Sequence, residues 1–160
     1  MRSTPWFLAI VGLSMLGGCA TQVAPAAPPM SWGYIAASDQ EPARLAYGVD
    51  DSDEIGIVFI CDQTKDRVEF IIPAVEGHDV PVMHLRGGKV ARRFEALAPE
   101  GDGSDDLAHF QAGRRDPVLA AFVATGSLAL NPYGTFVSHD ARTAAERAAV
   151  ATFAKACGLG

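Results

Sequence analysis

Two short runs constrain the fold of this chain more than any other feature. They are IGIVFIC at residues 55–61 and DRVEFII at 66–72. In the second, Val68, Phe70 and Ile72 fall on one side of an extended chain, and Arg67 and Glu69 on the other. Alternation with a period of two is the mark of a half-buried strand. The first run is apolar on both alternating sides, which predicts a strand covered on both faces. DQTKD between them reads as a hairpin turn.

The same pattern recurs in ARLAYGV (43–49), VPVMHLR (80–86), KVARRFEAL (89–97) and DLAHFQA (106–112). SWGYIAA, with Trp32 and Tyr34, is expected to open the first strand rather than to form an exposed aromatic patch. VDDSDE, EGHD, RGGK and PEGDGSD supply turn residues between the runs. The last third is different. Asp116, Pro117 and Gly126 frame a short helix over DPVLAAFVATG, as cap, first-turn proline and terminator. SLALN and GTFVSH then read as strands around the turn NPYG. A final helix follows, capped by Asp140 or Thr143 and ended by Gly158. Ala145, Ala149, Phe153 and Cys157 form its expected inward face, with Glu146, Arg147 and Lys155 off it. The predicted fold class is α+β: a mainly antiparallel β-sandwich or partial barrel with a C-terminal helix packed on the sheet, in a single domain over 32–160.

Ahead of this domain, residues 1–18 combine one charge, Arg2, with an apolar stretch from Trp6 to Leu16 and a small-residue end. That is the layout of a secretory signal peptide, too short for the ~20 apolar residues of a membrane span. Its end, Leu16-Gly17-Gly18-Cys19, resembles the lipobox of bacterial lipoproteins. The resemblance implies that the Cys19 thiol receives a diacylglycerol, that cleavage falls before Cys19, and that the protein is held to a membrane by this lipid. An ordinary signal peptide cut after Ala20 is the alternative, since Gly18 and Ala20 suit a small-x-small site. Because Ala20, not aspartate, follows the cysteine, the resemblance favours the outer membrane, with the protein facing the periplasm. Residues 19–31, with a proline-rich TQVAPAAPPM, read as an extended tether.

With Cys19 lipidated, Cys61 and Cys157 are left as a pair, and an oxidising envelope allows a disulfide between them. Two buried free thiols are the alternative. Their separation in the chain rules out a CxxC redox centre. Of the 13 Lys and Arg, Arg2 lies in the leader, so the mature balance is 12 basic against 19 acidic residues, a net of −7. This disfavours nucleic-acid partners, which want a basic stripe. It also disfavours electrostatic docking on anionic lipid.

The chemistry-bearing residues form no complete motif. Ser138-His139-Asp140 contains the residue types of a nucleophilic triad, but neighbours in sequence cannot align as one, and a strand end followed by a cap is expected. His78, His84, His109 and His139 show no metal-ligand spacing. His84 and His109 lie in predicted strands and could meet across a sheet as a weak metal or acid–base site, but two separate histidines on polar faces are expected. Asp50-Asp51-Ser52-Asp53-Glu54 and Asp102-Gly103-Ser104-Asp105-Asp106 offer oxygens, yet the second lacks the glycine and closing glutamate of a calcium loop. Both read as acidic turns. Arg92-Arg93 and Arg114-Arg115 could recognise an anion, but pairing with nearby acids is expected. No metal or cofactor is expected.

These features lead to a non-catalytic envelope role, binding a protein or glycan partner near the membrane. A small periplasmic hydrolase using His84 or His109 with an acidic partner is the runner-up, and a secreted enzyme inhibitor the third reading.

Overall fold

The computed structural model describes residues 29–61, 64–74, 80–98 and 107–159. The leader, Cys19, most of the tether, His78 and the acidic run at 102–106 lie outside the described residues.

The predicted strands form, with small shifts at their ends. They are β1 (Ser31–Ile35), β2 (Ala43–Gly48), β3 (Ile55–Cys61), β4 (Arg67–Pro73), β5 (Val82–Gly87), β6 (Val90–Glu95), β7 (Leu107–Gly113), β8 (Leu128–Asn131) and β9 (Val137–Ser138). The two helices are α1 (Pro117–Thr125) and α2 (Ala144–Cys157). The strands pair antiparallel in a five-stranded sheet, order β1-β2-β3-β4-β7, and a four-stranded sheet, order β6-β5-β8-β9. They are called the large and the small sheet below. The chain is thus an α+β protein of two mainly antiparallel sheets with a C-terminal helix, as its alternating runs predict. Ser31, placed in the tether by the sequence, is already the first residue of β1.

One aromatic cluster joins every layer. Phe59 of β3 lies 6.1 Å from Trp32 of β1, 5.8 Å from Phe70 of β4, 6.1 Å from Phe122 of α1 and 6.4 Å from Phe153 of α2, centroid to centroid. Phe70 adds Phe110 at 5.2 Å and, from the small sheet, Phe94 at 5.1 Å. Offset and edge-on rings at these distances contribute beyond their buried area. α1 packs on β5 and β6, and α2 on β1 and β2. At Gly87 the backbone of α1 comes so close that an added Cβ would stand 2.3 Å from the Val118 carbonyl oxygen. Only glycine fits there.

Local signals place both helices. Asp116 accepts from the Val118 N–H at 3.0 Å, Pro117 opens α1, and Gly126 ends it with φ of 70°. Thr143, not Asp140, caps α2, in a reciprocal box with Glu146. Asp140 instead accepts from the Leu128 N–H at 3.1 Å, tying the end of β9 to the start of β8.

Two sequence expectations are corrected. β3 is not covered on both faces: Ile57, Phe59 and Cys61 are buried, whereas Val58 and Ile60 are half-exposed. Both helices and the small sheet sit on the core side of the large sheet, so its other side stays open among the described residues. The inward face of α2 is also turned. Glu146, Val150, Phe153, Ala154 and Cys157 are buried, while Ala145 is exposed.

Glu146 is buried because it is the acceptor for an otherwise orphaned set of N–H groups. One carboxylate oxygen takes the N–H groups of Thr143 (2.7 Å) and Arg142 (2.9 Å), and the other takes that of Trp32 (3.4 Å). Trp32 lies on the free edge of the large sheet, so this bond closes part of that edge. The Trp32 indole N–H donates to the His139 carbonyl at 2.7 Å, fastening the same strand to the end of β9. Burial pushes the Glu146 carboxyl up, but the donors from Thr143, Trp32 and Arg142 outweigh it and hold it below its ordinary 4.5. Burial holds His139 below its ordinary 6.5, against the opposing pull of the Val137 carbonyl and Asp140.

Three outcomes follow from this packing. Replacing Glu146 by Ala strands three backbone donors and should cost roughly 2–3 kcal/mol in a denaturant melt. Both titrating groups have lowered pKa values in the fold, so both stabilise it above their unfolded values and lose that effect on acidification. Stability should therefore decline first as pH falls below 6.5 and again below 4.5; Glu146→Gln should remove the second step only. Gly87→Ala should lower the melting temperature more than Gly33→Ala, because a Cβ at Gly33 meets nothing within 4 Å.

Candidate functional site

The histidines do not converge. His84 is on β5 of the small sheet, exposed, between Arg93 of β6 and Asn131 of β8. His109 is on β7 of the large sheet. His84 and His109 are thus separate, as expected, because the chain crosses from one sheet to the other between β6 and β7.

His109 does have an acidic partner. Its Nδ1 lies 2.7 Å from Glu69 Oε1, with both side chains about one-third exposed. Glu69 stands opposite Gln111, and His109 opposite Ile71, so the pair is a diagonal contact across β4 and β7. Gln111 in turn accepts from Arg67 at 2.9 Å. A small depression beside the pair is lined by Ile60, Lys65, Arg67, Glu69 and Gln111. Among the described residues that line it there is no hydroxyl or thiol.

Ser138-His139-Asp140 is structural. The His139 Nδ1–H donates to the Val137 carbonyl at 3.0 Å, its ring stands edge-on to Tyr47 at 4.8 Å, and Asp140 is taken by Leu128. Asp50 to Glu54 form a turn closed by Val49 N–H to the Glu54 carbonyl (2.9 Å), with Ser52 Oγ accepting from the Glu54 N–H. Among the described residues no group of three or more His, Cys, Asp or Glu is placed to hold a metal. Arg92 pairs with Asp116 at 3.6 Å and Arg93 with Glu95 at 3.5 Å, as expected for solvated doublets. Arg114 comes near Cys157 and favours its thiolate.

Cys61 and Cys157 meet in the core. Both are fully buried and free, with the Cys61 side chain hydrogen-bonded to Cys157. Burial first, and then that bond, push the Cys157 thiol far above its ordinary range.

Two surfaces were not singled out by sequence. The β8–β9 hairpin exposes Tyr133, Phe136 and Val137, with the Arg86 guanidinium 4.3 Å above the Phe136 ring. The larger surface is the open face of the large sheet. Val58, Ile60 and Ile71 are half-exposed at its centre, and Ile35 and Leu107 are exposed near its margins. The apolar outward positions of IGIVFIC carry the signal for it, since a solvated strand face would alternate with polar residues. No family model, no curated protein and no solved structure matches this chain.

Proposed function

We propose that this chain is an outer-membrane lipoprotein facing the periplasm, and that its β-domain is a non-catalytic binding module whose partner covers the open face of the large sheet. The observation that carries the binding reading is the partly exposed apolar centre of that face, Val58, Ile60 and Ile71, with the exposed Ile35 and Leu107 near its margins. A contiguous apolar patch rimmed by polar side chains marks an interaction surface. The rim is Arg44, Arg67, Glu69, His109 and Gln111. Among the described residues no Phe, Tyr or Trp stands with these outward side chains, so a protein partner suits the face better than a glycan, which stacks on such rings.

The hydrolase reading keeps one favourable observation, the contact between His109 and Glu69. It is the weaker reading because the pair sits on the sheet surface, and the described residues beside it offer no hydroxyl or thiol. The anchor rests on Leu16-Gly17-Gly18-Cys19. Cys19→Ala should move the protein from the membrane fraction to the soluble periplasm, or leave the leader uncut. Unchanged membrane association with cleavage after Ala20 would sink the anchor reading.

An oxidising envelope would convert the Cys61–Cys157 contact into a disulfide. A buried thiol with a raised pKa oxidises slowly, so the bond would close as α2 brings Cys157 up to Cys61, before the site is sealed from oxidant. Protein taken from the envelope and unfolded without reductant should then resist alkylation at both positions, and Cys157→Ala should cost roughly 2–4 kcal/mol. Complete alkylation of both without reductant shows instead that they remain thiols.

A further inference from the structure

We propose that the partner on the open face is a second copy of this chain, packed face to face with its two-fold axis along β3. This rests on the binding reading above and names its partner. The face is laid out in rows across the strands. One row carries Ile35, Arg44, Ile60, Glu69 and Gln111 on β1, β2, β3, β4 and β7. The next carries Gly33, Ala46, Val58, Ile71 and His109 on the same strands. β3 is the central strand, so Ile60 and Val58 stand in the middle.

A two-fold axis along β3 lays β2 of one copy over β4 of the other, and β1 over β7. Each row then faces itself. Ile60 meets Ile60 and Val58 meets Val58 on the axis, as an isologous contact requires. Away from the axis three of the four facing positions are complementary, Ile35 over Gln111 being the exception. Arg44 lies over Glu69 of the second copy. Ala46 lies over Ile71. Gly33, above which there is open space to 4 Å, lies over His109. Cation opposes anion, and small residues oppose large ones. Glu69 already holds His109, and Arg44 holds Glu41 at 3.4 Å, so the second copy joins two existing pairs into one network. An axis across the strands would instead lay β2 on β2, with Arg44 away from Glu69.

The direction of the axis also fits the anchor. Rotation about β3 keeps both copies of β1 pointing the same way, so both tethers leave from one end of the dimer and can reach one membrane. Five strands spaced by ~4.8 Å, over about five residues of ~3.3 Å, give a footprint of roughly 25 by 17 Å. Two such faces bury on the order of 1,000 Å², the small end of specific interfaces. The dimer is accordingly weak in free solution and gains from the high local concentration of two chains on one surface. Sheet twist turns each β3 by ~15° from the axis, so the row matches hold best next to it, at Ile60, Val58, Arg44 over Glu69 and Ala46 over Ile71.

Cysteine cross-linking of the full chain, produced with its own leader in a diderm bacterium and oxidised in intact cells, tests this. Val58→Cys lies on the axis and should give a disulfide-linked dimer. Gly113→Cys, at the outer end of β7 with nothing within 4 Å of its Cβ, should stay monomeric. In the Val58→Cys background, Arg44→Glu alone and Glu69→Arg alone should each cut linkage about tenfold by opposing like charges, and the double exchange should restore it. If Val58→Cys folds normally but links to a different envelope protein, the second copy is excluded and the binding reading stands. If it links to nothing, both fail. Equal linkage from Gly113→Cys, or no rescue by the double exchange, overturns the axis along β3.

Discussion

The buried carboxylate of Glu146 holds the fold closed. β1 is the edge of its sheet, and its outward N–H at Trp32 would otherwise face solvent or a second chain. The donors at the start of α2 are unsatisfied for a different reason: a helix cannot bond its own first N–H groups. One side chain answers both needs. It can be buried because the donors around it offset its desolvation, which is why its pKa falls rather than rises. The indole of Trp32, bonded to the His139 carbonyl, extends the seam to the end of β9. The first strand, the last hairpin and the final helix therefore meet in one place.

That seam sets where everything else lies. Once α2 is pinned against β1 and β2, Phe153 reaches Phe59, and Phe122 of α1 joins them from the other side. Every element then contributes to one side of the large sheet. The result is asymmetric: one face of β3 is buried, and the other is only partly covered among the described residues. A sheet sealed on both faces would offer a partner nothing but loops.

The distribution of polar groups follows from the same architecture. His84 and His109 are separated by their assignment to different sheets. The open face carries its charges in pairs around an apolar centre, which suits recognition more than chemistry. The thiols of Cys61 and Cys157 share a buried contact, so their chemistry is available to the folding chain and not to a ligand.

Much of the fold was legible in the sequence because the interactions that specify it are local. Alternation over a few residues located β3 from Ile55 to Cys61, and Asp116, Pro117 and Gly126 located α1. The inward turn of Cys157 and Phe153 was also readable, from their four-residue spacing. The role of Glu146 was not. A glutamate one turn into a helix reads as solvated unless its acceptors are needed by a strand, and here that strand is 114 residues away. Nor could IGIVFIC say which of its apolar faces would be covered, because periodicity fixes only that successive side chains point opposite ways. The candidate surface was legible as excess apolar character in β3, but its rows of Arg44, Ile60 and Glu69 exist only once β2, β3 and β4 are in register. Local geometry determined the elements; the burial of one carboxylate and the siting of both helices on one side decided which surface was left for a partner.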